Sequence, residues 1–230
     1  MTKHVERQIE TLKQKILHVG SLVEESVAKA MSALINRDPV LAERVIAGDA
    51  DIDRQEVDVE EECLKILALY QPVAAQLRFV VAVFKINNDL ERMGDLAKNI
   101  AKRAAYISRA QPMDLQIDFR GMAIKAQNMV KQSLDALVKA DASLARQVRQ
   151  EDDEVDALCR SIRDQIMERI SRSPDRVEYL MKLNSVRKHL ERIADMATNV
   201  AEDVIYMVEG DIVRHRMDER EQPQRGNHPR

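Results

Sequence analysis

The chain has 230 residues, 45% hydrophobic and 33% charged, with 3% aromatics, six Gly, six Pro and no Trp, a mixture that points to an all-α protein with a substantial core. A net charge of −3 leaves no basic footprint for nucleic acid. No apolar run approaches the ~18 residues that suggest a membrane span, and the start "MTKHVERQIE" is too polar for a signal peptide, so a cytoplasmic protein is expected.

Apolar periodicity predicts helices over about 5–36, 49–70, 72–109, 113–140, 150–171 and 174–209, with short helical pieces at 39–47 and 142–149. Pro39, Pro72, Pro112 and Pro174 stand where helical patterns begin, a place proline tolerates because a first-turn N–H has no helical partner. Asp38 and Ser173 precede theirs and suit N-caps, and Gly210 suits the last C-cap. Cys63 and Cys159 lie far apart with no CxxC, which argues against a disulfide scaffold or a cysteine zinc site. The tail from 213 to 230 is polar and aperiodic and is expected to be disordered.

The third helix carries an unbroken 4-3-4-3 stripe: Phe79, Val83, Ile86, Leu90, Met93, Ala97, Ile100, Ala104 and Ile107. Adding a hundred to each gives Tyr179, Leu183, Val186, Leu190, Ile193, Ala197, Val200, Val204 and Met207, the same stripe in the same register. Such a seam serves neighbouring helices, and a helix this long reaches roughly 55 Å. Upstream, Asp38, Leu41, Ala42, Val45, Asp49 and Asp53 match Asp141, Leu144, Ala145, Val148, Asp152 and Asp156 at an offset of 103. The difference in offset places a deletion near "SRSPD". Two tandem three-helix bundles follow, over 1–110 and 111–212.

Within the repeat, "LERMGDLAKNIA" from Leu90 becomes "LERIADMATNVA" from Leu190. Glu91 and Asp95, and again Glu191 and Asp195, lie four apart and project side by side, outward from the seam. Asp49/Asp53 and Asp152/Asp156 share this geometry near the expected starts of the preceding helices. Outward acids are ordinarily a solvated face, and an Asp near a helix start is ordinarily a cap. Yet side-by-side carboxylates repel, and both pairs recur in both halves while Asn87, Asn88 and Asp89 become Arg187, Lys188 and His189. Antiparallel packing puts Asp53 and Glu91 at similar heights, and likewise Asp156 and Glu191. Two acidic patches suited to Mg²⁺, Mn²⁺, Ca²⁺ or iron are therefore expected.

Gly94, where the second copy has Ala194, costs about 1 kcal/mol mid-helix; mere tolerance is favoured over close approach. Asn99 and Asn199 offer an oxygen ligand or a helix-surface hydrogen bond. No His lies three after a Glu, and no HExxH, phosphate loop or nucleophile–base set is present, so no enzyme is expected. The Leu77, Val81 and Phe84 row, away from the seam, is expected to pack within its own bundle, with a dimer or partner contact as the alternative.

The doubled L-E-R-x-[GA]-D-x-A-x-N-[IV]-A phrase, the doubled Asp-x-x-x-Asp, and "LYQPVAAQLRFVVAVFKINNDLERMGDLAKNIAKR" from Leu69 to Arg103 resemble the PhoU family, accessory proteins of bacterial phosphate-specific transport. The resemblance covers about residues 5–210. It implies metal-binding motifs at Asp49, Asp53, Glu91, Asp95, Asp152, Asp156, Glu191 and Asp195, which in some members hold multinuclear iron or zinc. It also implies a negative regulator of the phosphate-starvation response, placed between the phosphate ABC transporter ATPase and a membrane sensor histidine kinase; a homodimer is expected. A metal buffer or metal-dependent phosphate-handling enzyme is the rival reading. Pro72 and Arg78 lack clean equivalents in the second half, where equal metal affinity is not expected.

Overall fold

The computed structural model describes residues 2–113 and 117–210. Six long helices account for nearly all of them: α1 (Thr2–Asn36), α2 (Pro39–Tyr70), α3 (Ala74–Arg109), α4 (Phe119–Lys139), α5 (Ala142–Arg172) and α6 (Val177–Glu209). A single 3₁₀ turn, Pro174–Arg176, precedes α6. α1, α2 and α3 pack on one another, as do α5 with α4 and α6, and the halves join through α3 against α6 and α1 against α4. Both apolar stripes are buried along their whole length, and their residues belong to one continuous core.

The repeat begins earlier than the sequence pattern suggested. Arg37 and Ala140, 103 residues apart, both adopt left-handed conformations, at φ 54° and 50°. After each, an aspartate N–H reaches back to an alanine carbonyl, Asp38 to Ala33 and Asp141 to Ala136, both at 2.9 Å. This closes a Schellman-type C-terminus. The same aspartates cap the next helix: Asp38 accepts from Val40 and Leu41, and Asp141 from Ser143 and Leu144. Arg37 also ties the halves together, donating to the Tyr179 hydroxyl at 3.3 Å and to the Ala110 carbonyl.

Several expected boundaries move. α2 and α5 run unbroken through the residues expected to interrupt them; Gly48 is exposed with nothing near it, so its propensity cost of about 1 kcal/mol is too small to stop a packed helix. Pro72 lies in the loop before α3, between Gln71 and the first residue of α3, Ala74, both at positive φ. α4 starts at Phe119, capped by Asp118, rather than at 113. Ser173 ends α5 and makes no side-chain cap; Gly210, at φ 79°, ends α6 as expected. The row on α3 is only partly covered: Leu77 and Phe84 are exposed, whereas Val81 between them is half-buried. The tail from 213 lies outside the described residues.

Gly94 is a point of close approach, contrary to the expectation of tolerance. A Cβ there would meet Ile52 Cδ1 at 3.0 Å and Cγ2 at 3.2 Å. At the matching positions the second half has Val155 and Ala194, both buried. One methyl group has moved from one helix to the other, and the pair's carbon count is unchanged.

Gly94→Ala gains about 1 kcal/mol of helix propensity but overpacks against Ile52 at about 1–3 kcal/mol. Urea denaturation of Ile52→Val, Gly94→Ala and the double variant is expected to give a favourable coupling above about 1 kcal/mol. Additive effects would show that the two residues do not share one space.

Candidate functional site: two carboxylate clusters

Because α2 is continuous, Asp49 and Asp53 sit about three turns inside it and not near its start, so neither serves as a cap. They flank Ile52, while Glu91 and Asp95 flank Gly94. The close contact between α2 and α3 therefore faces the acids toward one another.

The sequence placed all four acids of the first half looking outward, but Asp49 is buried at 5% exposure. It is held by Lys98, whose Nζ lies 2.5 Å from Asp49 Oδ2 and 3.0 Å from Asp95 Oδ1. These hydrogen bonds hold the Lys98 pKa well above its ordinary value, as charge-assisted contacts do. At the other end of the cluster, burial and then the charges of Asp95, Asp53 and Glu56 raise the Glu91 pKa, with Arg92 opposing. Asp53 is raised by burial and by Asp49 and Asp95, with Lys98 opposing. Glu56, which the repeat did not reveal, is raised by burial, Glu60 and Asp53. Asn87 is 1% exposed, and its Nδ2 donates to the Glu56 carbonyl at 2.8 Å and carboxylate at 3.1 Å.

The second cluster gathers the same four motif acids with different neighbours. Burial, then Asp195, Asp156, Asp153 and Glu191, push Asp152 up to about 6. Asp195 is raised by burial, Glu191 and Asp156, with Arg192 opposing. Position 198 is Thr where the first half has Lys98, and the Thr198 hydroxyl is buried without a hydrogen-bond partner. At the opposite end, Cys159 stands in place of Glu56 and Arg187 in place of Asn87. Arg187 contacts the Cys159 sulfur, reaches Glu191 at 3.2 Å and Asn184 at 3.0 Å, and Arg160 lies 3.4 Å from Asp156. Asn87 and Arg187, read from sequence as free variation, are thus a matched change with Glu56 and Cys159.

Asn99 uses its side-chain oxygen to accept from Arg103 at 3.3 Å, the surface hydrogen-bond role. Lys98 is the residue that sequence reasoning missed; its signal was an ammonium three residues after Asp95, on the face toward α2. Among the described residues, no three His, Cys, Asp or Glu side chains are arranged to hold one metal ion. The donor types suit a hard cation, but Lys98 already stands between Asp49 and Asp95.

The fold and site together define an all-helical, twice-repeated protein with a cluster of carboxylates in each half. The PhoU domain family matches it over residues 16–104 and again over 119–204. A protein of Aquifex aeolicus (strain VF5) named phosphate-specific transport system accessory protein PhoU homolog is 40% identical over 91% of this chain and 95% of its own. The homolog of that name from Pseudomonas aeruginosa is 35% identical over 94% and 91%. The crystal structure of PhoU from Pseudomonas aeruginosa superposes with a TM-score of 0.85 at 34% identity, covering 90% of this chain and 99% of that one. The phosphate transport system regulatory protein PhoU from Streptococcus pneumoniae gives 0.84 at 29%, covering 91% and 99%. The chain belongs to the PhoU family.

Folding raises the Asp152 pKa from 3.8 to about 6, so the folded chain binds that proton more tightly than the unfolded one. The associated stability is present below about pH 4 and is lost as pH rises through about 6. Asp152→Asn in chelator is expected to raise Tm near pH 7.5, by roughly 2–4 °C for each kcal/mol of burial penalty and repulsion relieved, with the gain vanishing near pH 4. A gain independent of pH would contradict this.

Proposed function

We propose that the protein is a cytoplasmic, non-enzymatic negative regulator of the phosphate-starvation response and of phosphate uptake. It acts as an adaptor between the phosphate ABC transporter ATPase and a membrane sensor histidine kinase, favouring the kinase's off state when phosphate is plentiful. The observation that carries this reading is agreement with proteins named for phosphate-specific transport across nearly the whole chain, at 40% identity over 91% of its length. The long, tightly packed helices offer a rigid platform, and the exposed Leu77 and Phe84 give apolar surface to a homodimer.

Cations on the acidic grooves belong to the same reading. Asp49, Asp53, Glu91 and Asp95 in the first half, and Asp152, Asp156, Glu191 and Asp195 in the second, would hold Mg²⁺ or Mn²⁺. Iron or zinc in a multinuclear centre would first have to displace Lys98 from Asp49 and Asp95. A bound cation would offset carboxylate repulsion and stiffen the contact between paired helices. The rival, a metal-dependent phosphate-handling enzyme, is favoured by the crowding around Asp152 and needs a general base beside an open coordination position.

Affinity capture from phosphate-replete cells is expected to recover the transporter ATPase or a histidine kinase; recovery of neither would overturn the adaptor. A phosphatase assay with Mg²⁺ or Mn²⁺ is expected to show no turnover that Glu91→Ala abolishes, and such turnover would favour the enzyme.

A further inference from the structure

Two matching cavities stand at opposite ends of the antiparallel α3–α6 pair. One, of about 310 Å³, is lined by Leu34, Ile35, Ile107 and Tyr179, together with Met113 and Ile117 from the connection between the halves. The other, of about 360 Å³, is lined by Leu137, Val138, Phe79 and Met207. Leu137 and Val138 follow Leu34 and Ile35 by 103 residues, and Tyr179 and Met207 follow Phe79 and Ile107 by a hundred. The internal repeat therefore makes the two cavities copies of one site.

They differ in what the chain puts into them. In the first, Arg37 donates to the Tyr179 hydroxyl and to the Ser108 and Ala110 carbonyls. Met113 and Ile117 pack there against the core. In the second, Ala140 stands in place of Arg37 and Phe79 in place of Tyr179, so the guanidinium and its hydroxyl partner are both replaced by apolar groups. Its two cations are Lys13, whose ammonium lies 5.7 Å from the centre of the Phe79 ring, and Arg78, whose Nε donates to the Met207 carbonyl at 2.9 Å. Val208, exposed in the last turn of α6, also lines this cavity.

The repeat also names an occupant. α3 and α6 end a hundred residues apart, at Arg109 and Glu209, so the segments that follow them can be laid side by side. Pro112, Met113 and Ile117 after α3 correspond to Ile212, Val213 and Met217 after α6. Apolar residues thus stand at the same steps in both, among polar neighbours. Gly210 takes φ 79°, and a left-handed helix end turns the chain back, so that an apolar residue just beyond commonly touches the last helical turns. Those turns hold Met207 and Val208. Asp211 comes next in the chain and carries the charge opposite to Lys13 and Arg78. So short a tether holds the segment at high effective concentration, which a separate molecule would have to outcompete.

We propose that Ile212, Val213 and Met217 dock in the cavity between α1, α3, α4 and α6, as the connection after α3 does in the other half. Docked there, the segment closes this apolar end to partners until it is displaced. The proposal is independent of the cations and of the adaptor role.

The test is methyl nuclear magnetic resonance of the full chain. Nuclear Overhauser contacts are expected from the Ile212 and Val213 methyls to Val138 and Met207 within one molecule. Ile212→Asp/Val213→Asp is expected to abolish them and to shift the Leu137 and Val138 methyls, leaving Leu34 and Ile35 in place. Anilinonaphthalene sulfonate, an apolar anionic dye, is expected to bind that variant at least about threefold more tightly, because a covered site loses affinity in proportion to its open fraction. Absence of the contacts, with Leu137 and Val138 unmoved by the double substitution, overturns the docking. Contacts found only between differently labelled copies assign the cavity to a second molecule and overturn it too. Contacts present but dye affinity unchanged overturn the closure.

Discussion

Ile52 fits against Gly94 with so little room that an added Cβ would stand 3.0 Å from its terminal carbon. That contact governs how close α2 comes to α3, and therefore how close the acids one residue or one turn to either side come to each other. The second half meets the same requirement with Val155 and Ala194. Interiors are packed too densely for one side of such a contact to change alone. The repeat keeps the volume of the pair while letting its division between helices drift.

Electrostatics then follows from packing. Burial, and then the neighbouring carboxylates, raise the pKa values of Asp53, Glu91, Asp152 and Asp195, and each half answers with a cation from its own helices. Lys98 does so at the buried end of the first groove, and Arg187 at the far end of the second. The halves are thus alike in shape and unlike in charge.

Much of this was legible in the sequence because it is periodic. Nine-step apolar stripes separated by a hundred residues specify two long core helices, and the count from Asp53 to the turn and on to Glu91 puts those acids at one level. What escaped the sequence reading depends on contacts between helices. The expected boundary between 39–47 and 49–70 falls at Gly48, yet burial of the rest of α2 outweighs one glycine's propensity. Gly94 looked tolerated because its neighbour Ile52 is 42 positions away. Lys98, Glu56 and Asn87 gain their roles only across the α2–α3 contact, and the Asn87-to-Arg187 change reads as noise until Cys159 is seen in the place of Glu56. The PhoU likeness, by contrast, was already carried by the doubled phrase, the doubled Asp-x-x-x-Asp and the stretch from Leu69 to Arg103.

Carboxyl-carbon nuclear magnetic resonance across an acid titration measures this coupling most directly, with Glu91 followed in the wild-type chain and in Asp53→Asn. Gathered acids require Glu91 to titrate above the ordinary glutamate range and to move down when Asp53 loses its charge. A Glu91 curve identical in both proteins would mean that the two helices do not share one acidic groove.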